Sequence, residues 1–508
     1  MTTQQPRSGY EQLGNGRKLG LLDVVAQSVG FMGPVFSVAA IVPLVAGIIT
    51  ASGKGAGGAA PLAVVIAAVG MLGLGWTVVQ FTKRIQSAGS LYDYIAEGLG
   101  ERIGVAAGWV YYAGIIILGA GIAVLLGGTI HDLLLAEFGH SVLPGWGWNV
   151  LLLALLAVVL HLGVQLSTRA QFVLAMLSLV VMTVFFLYII IKAGSANSFK
   201  AFKPSSSPTH WSGVLFGVLY GVLLFTGFEA AANVAEESEH PKRDVPRAVL
   251  FAILAAFGFY LLGSYAQVVG FHFDLNAIGQ ANGNAPTPAA GLVTVLAGPH
   301  SAGGMGAVAV RRLVELIVLL DMTAVYIGVS VSGARGVFAM ARDHRMPKAL
   351  ARVSARRGTP SAGNAVVVVV YAVWIVLTAA WSGLFAAAGL PHYFAMYSWL
   401  SAFGAFGLAV TYALLSLAVL SPVIDTPLWR KAGACLLGLA VTGGAVFGSI
   451  YKVTAPTIYA PYAALAVLVI GFGASFVFTG RTRASRLAAH APAPAHAPGE
   501  PAGTESPA

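Results

Sequence analysis

The chain predicts an all-α polytopic membrane protein of twelve spans, on three observations. Of its 508 residues 57% are hydrophobic and only 9% are charged, where a soluble domain carries about 25% charged residues. Twelve stretches stay apolar over the roughly 20 residues a helix needs to cross the hydrocarbon core. The 29 Lys and Arg alternate in density from loop to loop. The net charge of +10 invites nucleic-acid binding, but basic residues dispersed in this way form no patch for a phosphate backbone.

Residues 1–19 form a polar leader. The apolar run that follows is too long for a signal-peptide core, so it is a retained first span. The spans are 20–50, 61–82, 103–134, 149–166, 169–192, 211–236, 246–271, 308–334, 362–382, 393–419, 430–448 and 457–479. Together, residues 20–479 make one transporter domain. Residues 480–508, with Ala491-Pro492-Ala493-Pro494-Ala495-His496 and similar stretches, have the composition of a disordered tail.

With the N-terminus inside, the cytoplasmic segments hold 22 of the 29 basic residues. The outer segments keep only Lys54, Lys192, Lys200, Lys203, Arg311, Arg312 and Lys452. This asymmetry places both termini in the cytoplasm of a cell-membrane protein. Cys435 is the single cysteine, so an intrachain disulfide and a thiolate metal cage are both excluded. There is no phosphate-binding Gly-rich loop ending in Lys-Ser/Thr and no His-Glu-x-x-His. No catalytic residues, metal site or cofactor follow from the sequence, and any active transport would draw on an ion gradient or on exchange.

Two spans are interrupted. Span 1 carries Gly30, Gly33 and Pro34 within five residues, and span 6 carries Phe225-Thr226-Gly227-Phe228-Glu229. Breaks five spans apart lie in helices of opposite direction, which points to an inverted repeat with a central site. Gly and Pro also kink packed membrane helices that bind nothing. A broken helix frees backbone groups that must face protein, water or ligand. A half-helix starting near Pro34 offers amides to a carboxylate, with Pro suited to its first position. The carbonyls of the preceding half offer acceptors to an ammonium. Phe225 and Phe228 are candidate aromatic walls or plain packing residues.

Two acids lie deep in the spans, and an ionisable group there is a functional candidate. Glu229 is placed to carry a proton or to bond the frayed backbone. Asp321, in span 8, has no base at helical spacing, so it needs a partner on another helix or a proton of its own. Arg312 and Glu315 are spaced for an i,i+3 pair. His161 is expected mid-membrane, bonding to a neighbouring helix.

Three segments then carry a family resemblance. They are Phe225 to Glu229 with Glu236-Glu237, Pro241, Arg243 and Pro246-Arg247-Ala248; Ser87-Ala88-Gly89-Ser90-Leu91-Tyr92-Asp93-Tyr94; and Gly333-Ala334-Arg335-Gly336 through Arg342-Asp343, with Met346-Pro347 and Gly358-Thr359-Pro360. In this order on twelve spans, the chain resembles the amino acid–polyamine–organocation (APC) permeases over about residues 20–480. The resemblance implies a 5+5 inverted repeat with broken helices 1 and 6, plus two peripheral helices. It implies transport of an amino acid or amine by alternating access, proton-coupled or by exchange. By the same resemblance, Gly30, Met32, Gly33, Phe225, Thr226, Gly227 and Phe228 contact substrate; Glu229 and Asp321, by their depth in the spans, are the proton-coupling candidates. Two positions depart from the pattern. Met32-Gly33-Pro34 replaces a Gly-small-Gly triplet, which loosens carboxylate capture or shifts it to the Val35 and Phe36 amides. Ser178 stands where cationic amino-acid carriers hold a Lys. Polyamine transport and nutrient sensing on a carrier fold are the alternatives, and only two deep acids speak for the former. No oligomeric state follows from the residues.

Overall fold

The computed structural model describes residues 18–46, 55–87, 89–274, 308–354, 357–386, 391–451, 453 and 455–478. The leader before Lys18 and the tail 480–508 lie outside the described residues. Twelve helices among the described residues are long and apolar enough to cross a membrane: Leu21–Ala40, Gly57–Thr82, Glu101–Phe138, Gly145–Leu162, Phe172–Ala196, His210–Glu237, Pro241–Gly270, Arg312–Arg342, Ser361–Ala380, His392–Ala418, Leu428–Ile450 and Tyr459–Val477. They are numbered here as spans 1 to 12 and match the twelve stretches expected from the sequence.

The packing follows the expected repeat. Span 1 packs on span 6, span 2 on span 7, span 3 on span 8 and span 4 on span 9. Contacts outside these pairs also come in matched sets. Spans 5 and 8 touch as spans 10 and 3 do, spans 1 and 7 as spans 6 and 2 do, and spans 3 and 4 as spans 8 and 9 do. Each set maps onto its counterpart when five is added or subtracted, as an inverted repeat requires. Spans 11 and 12 pack on the outside, against spans 2, 6 and 10 and against spans 3 and 10 respectively.

The apolar faces sort by depth. Span 1 is 83% buried over its most apolar window and span 4 only 17%, so the first is core and the second is periphery. Exposed Leu155 and Val158 on span 4, Val180 and Val184 on span 5, Val369 and Val373 on span 9, and Val469 and Ile470 on span 12 form an apolar outer surface. Lipid is the solvent such a surface needs. Close backbone approach joins spans 3 and 10, where a Cβ on Gly404 would lie 2.8 Å from the Gly114 carbonyl oxygen.

Both interruptions are present. Span 1 runs as an α-helix over Leu21–Met32, stops at Gly33 (φ 52°, ψ 70°) and resumes over Pro34–Ala40. A continuous helix would drive the Pro34 ring into the Gly30 carbonyl, and glycine takes the left-handed turn without a Cβ penalty. Gly30, expected in the break, sits inside the intact first half-helix, so the single proline decides where the helix stops. Span 6 is α-helical over His210–Leu224, turns at Gly227 (φ 102°) and continues as a 3₁₀-helix over Phe228–Glu237. Ten residues of 3₁₀-helix is long, and such stretches often mark hinges.

One expectation is corrected. His161 is exposed near the C-terminal end of its helix, because span 4 ends at Leu162 before Gly163 (φ 116°). Arg312, spaced for a pair with Glu315, also reaches across to Glu137 of span 3 and lies over the Phe138 ring.

A Cβ on Gly227 would stand 2.1 Å from the Phe31 ring, so the two breaks touch. Gly227→Ala therefore combines backbone strain with overpacking and should cost about 2–4 kcal/mol. Gly258→Ala, where a Cβ meets nothing within 4 Å on an exposed helix face, should cost nothing. Unfolding temperatures of the detergent-solubilised variants test this: the first should fall by several degrees and the second should not.

Candidate functional site at the crossing of the broken helices

The polar residues of span 1 do most of the work at the crossing. The Ser28 hydroxyl donates to the Phe228 carbonyl (2.8 Å) and accepts from the Ala231 amide (2.9 Å). One side chain thus satisfies two backbone groups on the far side of the span 6 break. Gln27 donates through Nε2 to the Gly328 carbonyl and the Ser332 hydroxyl, each at 3.1 Å, and so ties span 1 to span 8. Ser37 returns a hydrogen bond to the Met32 carbonyl (2.9 Å), closing part of the span 1 break on itself.

Asp321 is the partner of the second half of span 1. Its Oδ2 accepts the Phe36 amide at 2.8 Å, and the Val35 amide lies against the same carboxylate. Pro34 has no N–H, and the Ser37 amide bonds the Gly33 carbonyl (2.8 Å). The first-turn donors expected to take a substrate carboxylate are therefore already engaged by a side chain from span 8. An acid at a helix N-terminus is stabilised both by the free amides and by the helix dipole.

Of the other candidates, Met32 is buried, and the Phe225 ring meets Tyr260 edge-on at 5.2 Å between centroids. The Phe228 ring packs on Tyr412 at 5.7 Å. Thr226 is half-buried at the turn itself, the most accessible residue of the second break. Glu229 is fully buried and accepts the Tyr111 hydroxyl of span 3 at 2.9 Å. Ser178 shares its hydroxyl between the Leu174 carbonyl (2.8 Å) and the Ile317 carbonyl (3.2 Å), joining spans 5 and 8. The structure brings Gly33, Gly227 and Asp321 to one crossing, while Glu229 lies on the far side of the span 6 turn, against span 3.

The three sequence motifs converge elsewhere, at the end of the bundle where span 1 begins. Arg335 makes a two-pronged pair with Glu237 (2.7 and 3.3 Å), and Arg342 makes another with Glu236 (2.7 and 2.8 Å). Arg345, fully buried, bonds Asp93 (3.0 Å) and Glu101 (2.8 Å), with its guanidinium over the Tyr92 ring. Ser87 holds the other Asp93 oxygen at 2.6 Å, and Tyr92 donates to Asp343 at 2.7 Å. Burial pushes the Asp93 carboxyl up to about 6 against the opposing pull of Arg345. Leu19 adds two backbone bonds, donating to the Glu237 carbonyl and accepting the Glu239 amide. These contacts hold the end of span 6, the end of span 8 and the short helix Leu91–Leu99 together.

Ser28, Gln27, Tyr111 and Tyr260 join the site only in the folded structure. The adjacent Gln27-Ser28 pair was the available signal, because polar side chains inside a span must bond across helices. The tyrosines carry no such signal, since a buried aromatic looks like core.

Comparison with known proteins fits this geometry. The family model described as amino acid permease matches residues 19–486. A branched-chain amino acid permease of Bacillus subtilis is 23% identical over 369 residues, covering 68% of this chain and 71% of the relative. An L-methionine/branched-chain amino acid exporter of Escherichia coli is 27% identical over 373 residues, covering 71% and 77%. Among solved structures, a manganese transporter of Eremococcus coleocola superposes with a TM-score of 0.55 at 13% identity, covering 94% of this chain and 96% of that one. That likeness concerns the fold alone.

The buried pair of Arg335 and Glu237 sets a test. Arg335→Met leaves Glu237 charged and buried, which costs about 3–5 kcal/mol. Adding Glu237→Gln should restore most of the lost unfolding temperature. A double variant no more stable than the single would mean that the two residues are not coupled.

Proposed function

Because this chain belongs to the amino acid permease family, a family of transporters and not enzymes, we propose that it moves an apolar amino acid across the cell membrane by alternating access. The observation that carries this proposal is the pair of interrupted helices meeting at Gly33 and Gly227, each with left-handed backbone at the turn. Exposed peptide dipoles at mid-membrane are tolerated only where protein, water or ligand takes them up. The substrate-contacting residues are Gly30, Met32, Gly33 and Phe225 to Phe228. The rings of Phe31, Phe225 and Phe228 and the side chain of Val325, which abuts Gly33, suit an apolar side chain. That choice agrees with the branched-chain amino acids and methionine in the names of the two relatives.

Both termini lie in the cytoplasm, by the basic residues of the loops. The ion-pair cluster of Arg335, Arg342 and Arg345 then closes the cytoplasmic side and must open in each cycle. The coupling ion is a proton, and Glu229 is the group we assign to it. Its partner is a neutral tyrosine hydroxyl, so it can gain a proton without breaking an ion pair. Asp321 was the other candidate, but it is engaged in capping the second half of span 1.

Purified protein in liposomes should take up labelled leucine or methionine when a proton gradient, acid outside, is imposed. Glu229→Gln should lower gradient-driven accumulation about tenfold or more while leucine–leucine exchange continues. Unchanged accumulation in Glu229→Gln would remove the proton role from this residue. Absence of both uptake and exchange across a panel of apolar amino acids would contradict the proposed function.

A further inference from the structure

We infer that Asp321 receives the substrate's ammonium group, and that the α-carboxylate of an amino acid is dispensable for binding. This rests on the transport reading above and narrows its ligand class to organic ammonium compounds with an apolar body. The inference starts from the two oxygens of one carboxylate. Oδ2 is taken by the Phe36 amide. Oδ1 is buried and has no hydrogen-bond partner among the described residues. Such an atom is costly to leave unmade, and a carboxylate oxygen can only accept.

The charges around it make the same demand. Asp321 is fully buried, yet no basic side chain among the described residues pairs with it. The nearby arginines of its own helix are engaged elsewhere: Arg312 with Glu137, Arg335 with Glu237 and Arg342 with Glu236. Spans 1, 3, 5, 6 and 9 all pack on this helix, and among the described residues their charged groups at this depth reduce to Glu229, another acid. A buried acid of this kind takes a proton of its own or a cation that arrives with the ligand. The Tyr260 hydroxyl lies within electrostatic reach of the carboxylate, and its ring stands edge-on to Phe225. Val325, which lies with the Asp321 carboxylate against Gly33, and Phe225, against Tyr260, supply apolar surface for the chain of an ammonium ligand.

The same geometry argues against a carboxylate seat in span 1. The Phe36 amide that would hold it is occupied, and a second carboxylate beside Asp321 adds like-charge repulsion. Recognition of the amine alone follows.

The test compares three ligands that share one carbon skeleton: L-leucine, 3-methylbutan-1-amine, which lacks the carboxylate, and 4-methylpentanoate, which lacks the amine. Each competes with labelled leucine for purified full-length protein. The amine should compete within about tenfold of leucine, and the acid should be weaker by about 100-fold or more. In Asp321→Asn both amine-bearing ligands should weaken by about tenfold or more. The wild-type series stands whether or not that variant folds. Competition by the acid but not the amine would overturn the inference and leave leucine transport standing. Absence of any saturable leucine binding would remove the transport reading and this inference together.

Discussion

Unpaired peptide groups are the constraint on which this structure depends. In hydrocarbon each costs several kcal/mol, on the order of a lost hydrogen bond in an apolar medium. Two helices can be interrupted only because other residues take up what the interruption frees. Ser28 does so for span 6, through one donated and one accepted bond. Asp321 does so for span 1, at the Phe36 amide. Both are single side chains reaching between elements, so the two breaks and span 8 are mechanically linked. A ligand that competes for any of these groups acts on all three elements, which is what a carrier requires of its binding site.

The second organising feature is the ion-pair cluster at the end of the bundle where span 1 begins. Its members come from segments far apart in the chain, with Arg345 bonding Asp93 across 252 positions. They join the 3₁₀ half of span 6 to span 8 and to the helix before span 3. The same 3₁₀ segment follows Gly227, so one continuous stretch connects the crossing of the breaks to the ion pairs at the bundle end. Buried pairs of this kind are better suited to setting one arrangement than to adding net stability. Arranged at one end, they tie the ends of spans 6 and 8 and the helix before span 3 to one another.

The architecture was legible because lipid is a strict solvent. Apolar length set the twelve spans, and Pro34 and Gly227 announced the breaks through backbone chemistry that no packing overrides. The half-helix start at Pro34 follows from proline's missing N–H and fixed φ. Gly30 lies inside the first half-helix rather than in the break, because in span 1 the proline sets where the helix stops. The site was less legible. Asp321 was singled out as a buried acid in need of a partner on another helix, and that partner is a backbone amide 285 positions away. Sequence spacing gives no access to such pairings. The Phe36 amide, read as free for a substrate, is taken for the same reason. The three motifs were recognised as a set, but their shared destination in one charge cluster required the fold.

Accessibility at the second break tests the central claim most directly. Thr226 is the half-buried residue of that turn, and Cys435 is the chain's single cysteine. In a Cys435→Ser background, Thr226→Cys should react with a small membrane-impermeant thiol reagent, and saturating leucine should slow that reaction about tenfold or more. Labelling that leucine leaves unchanged, in protein that still exchanges leucine, would place the substrate away from the crossing of the broken helices and contradict the account.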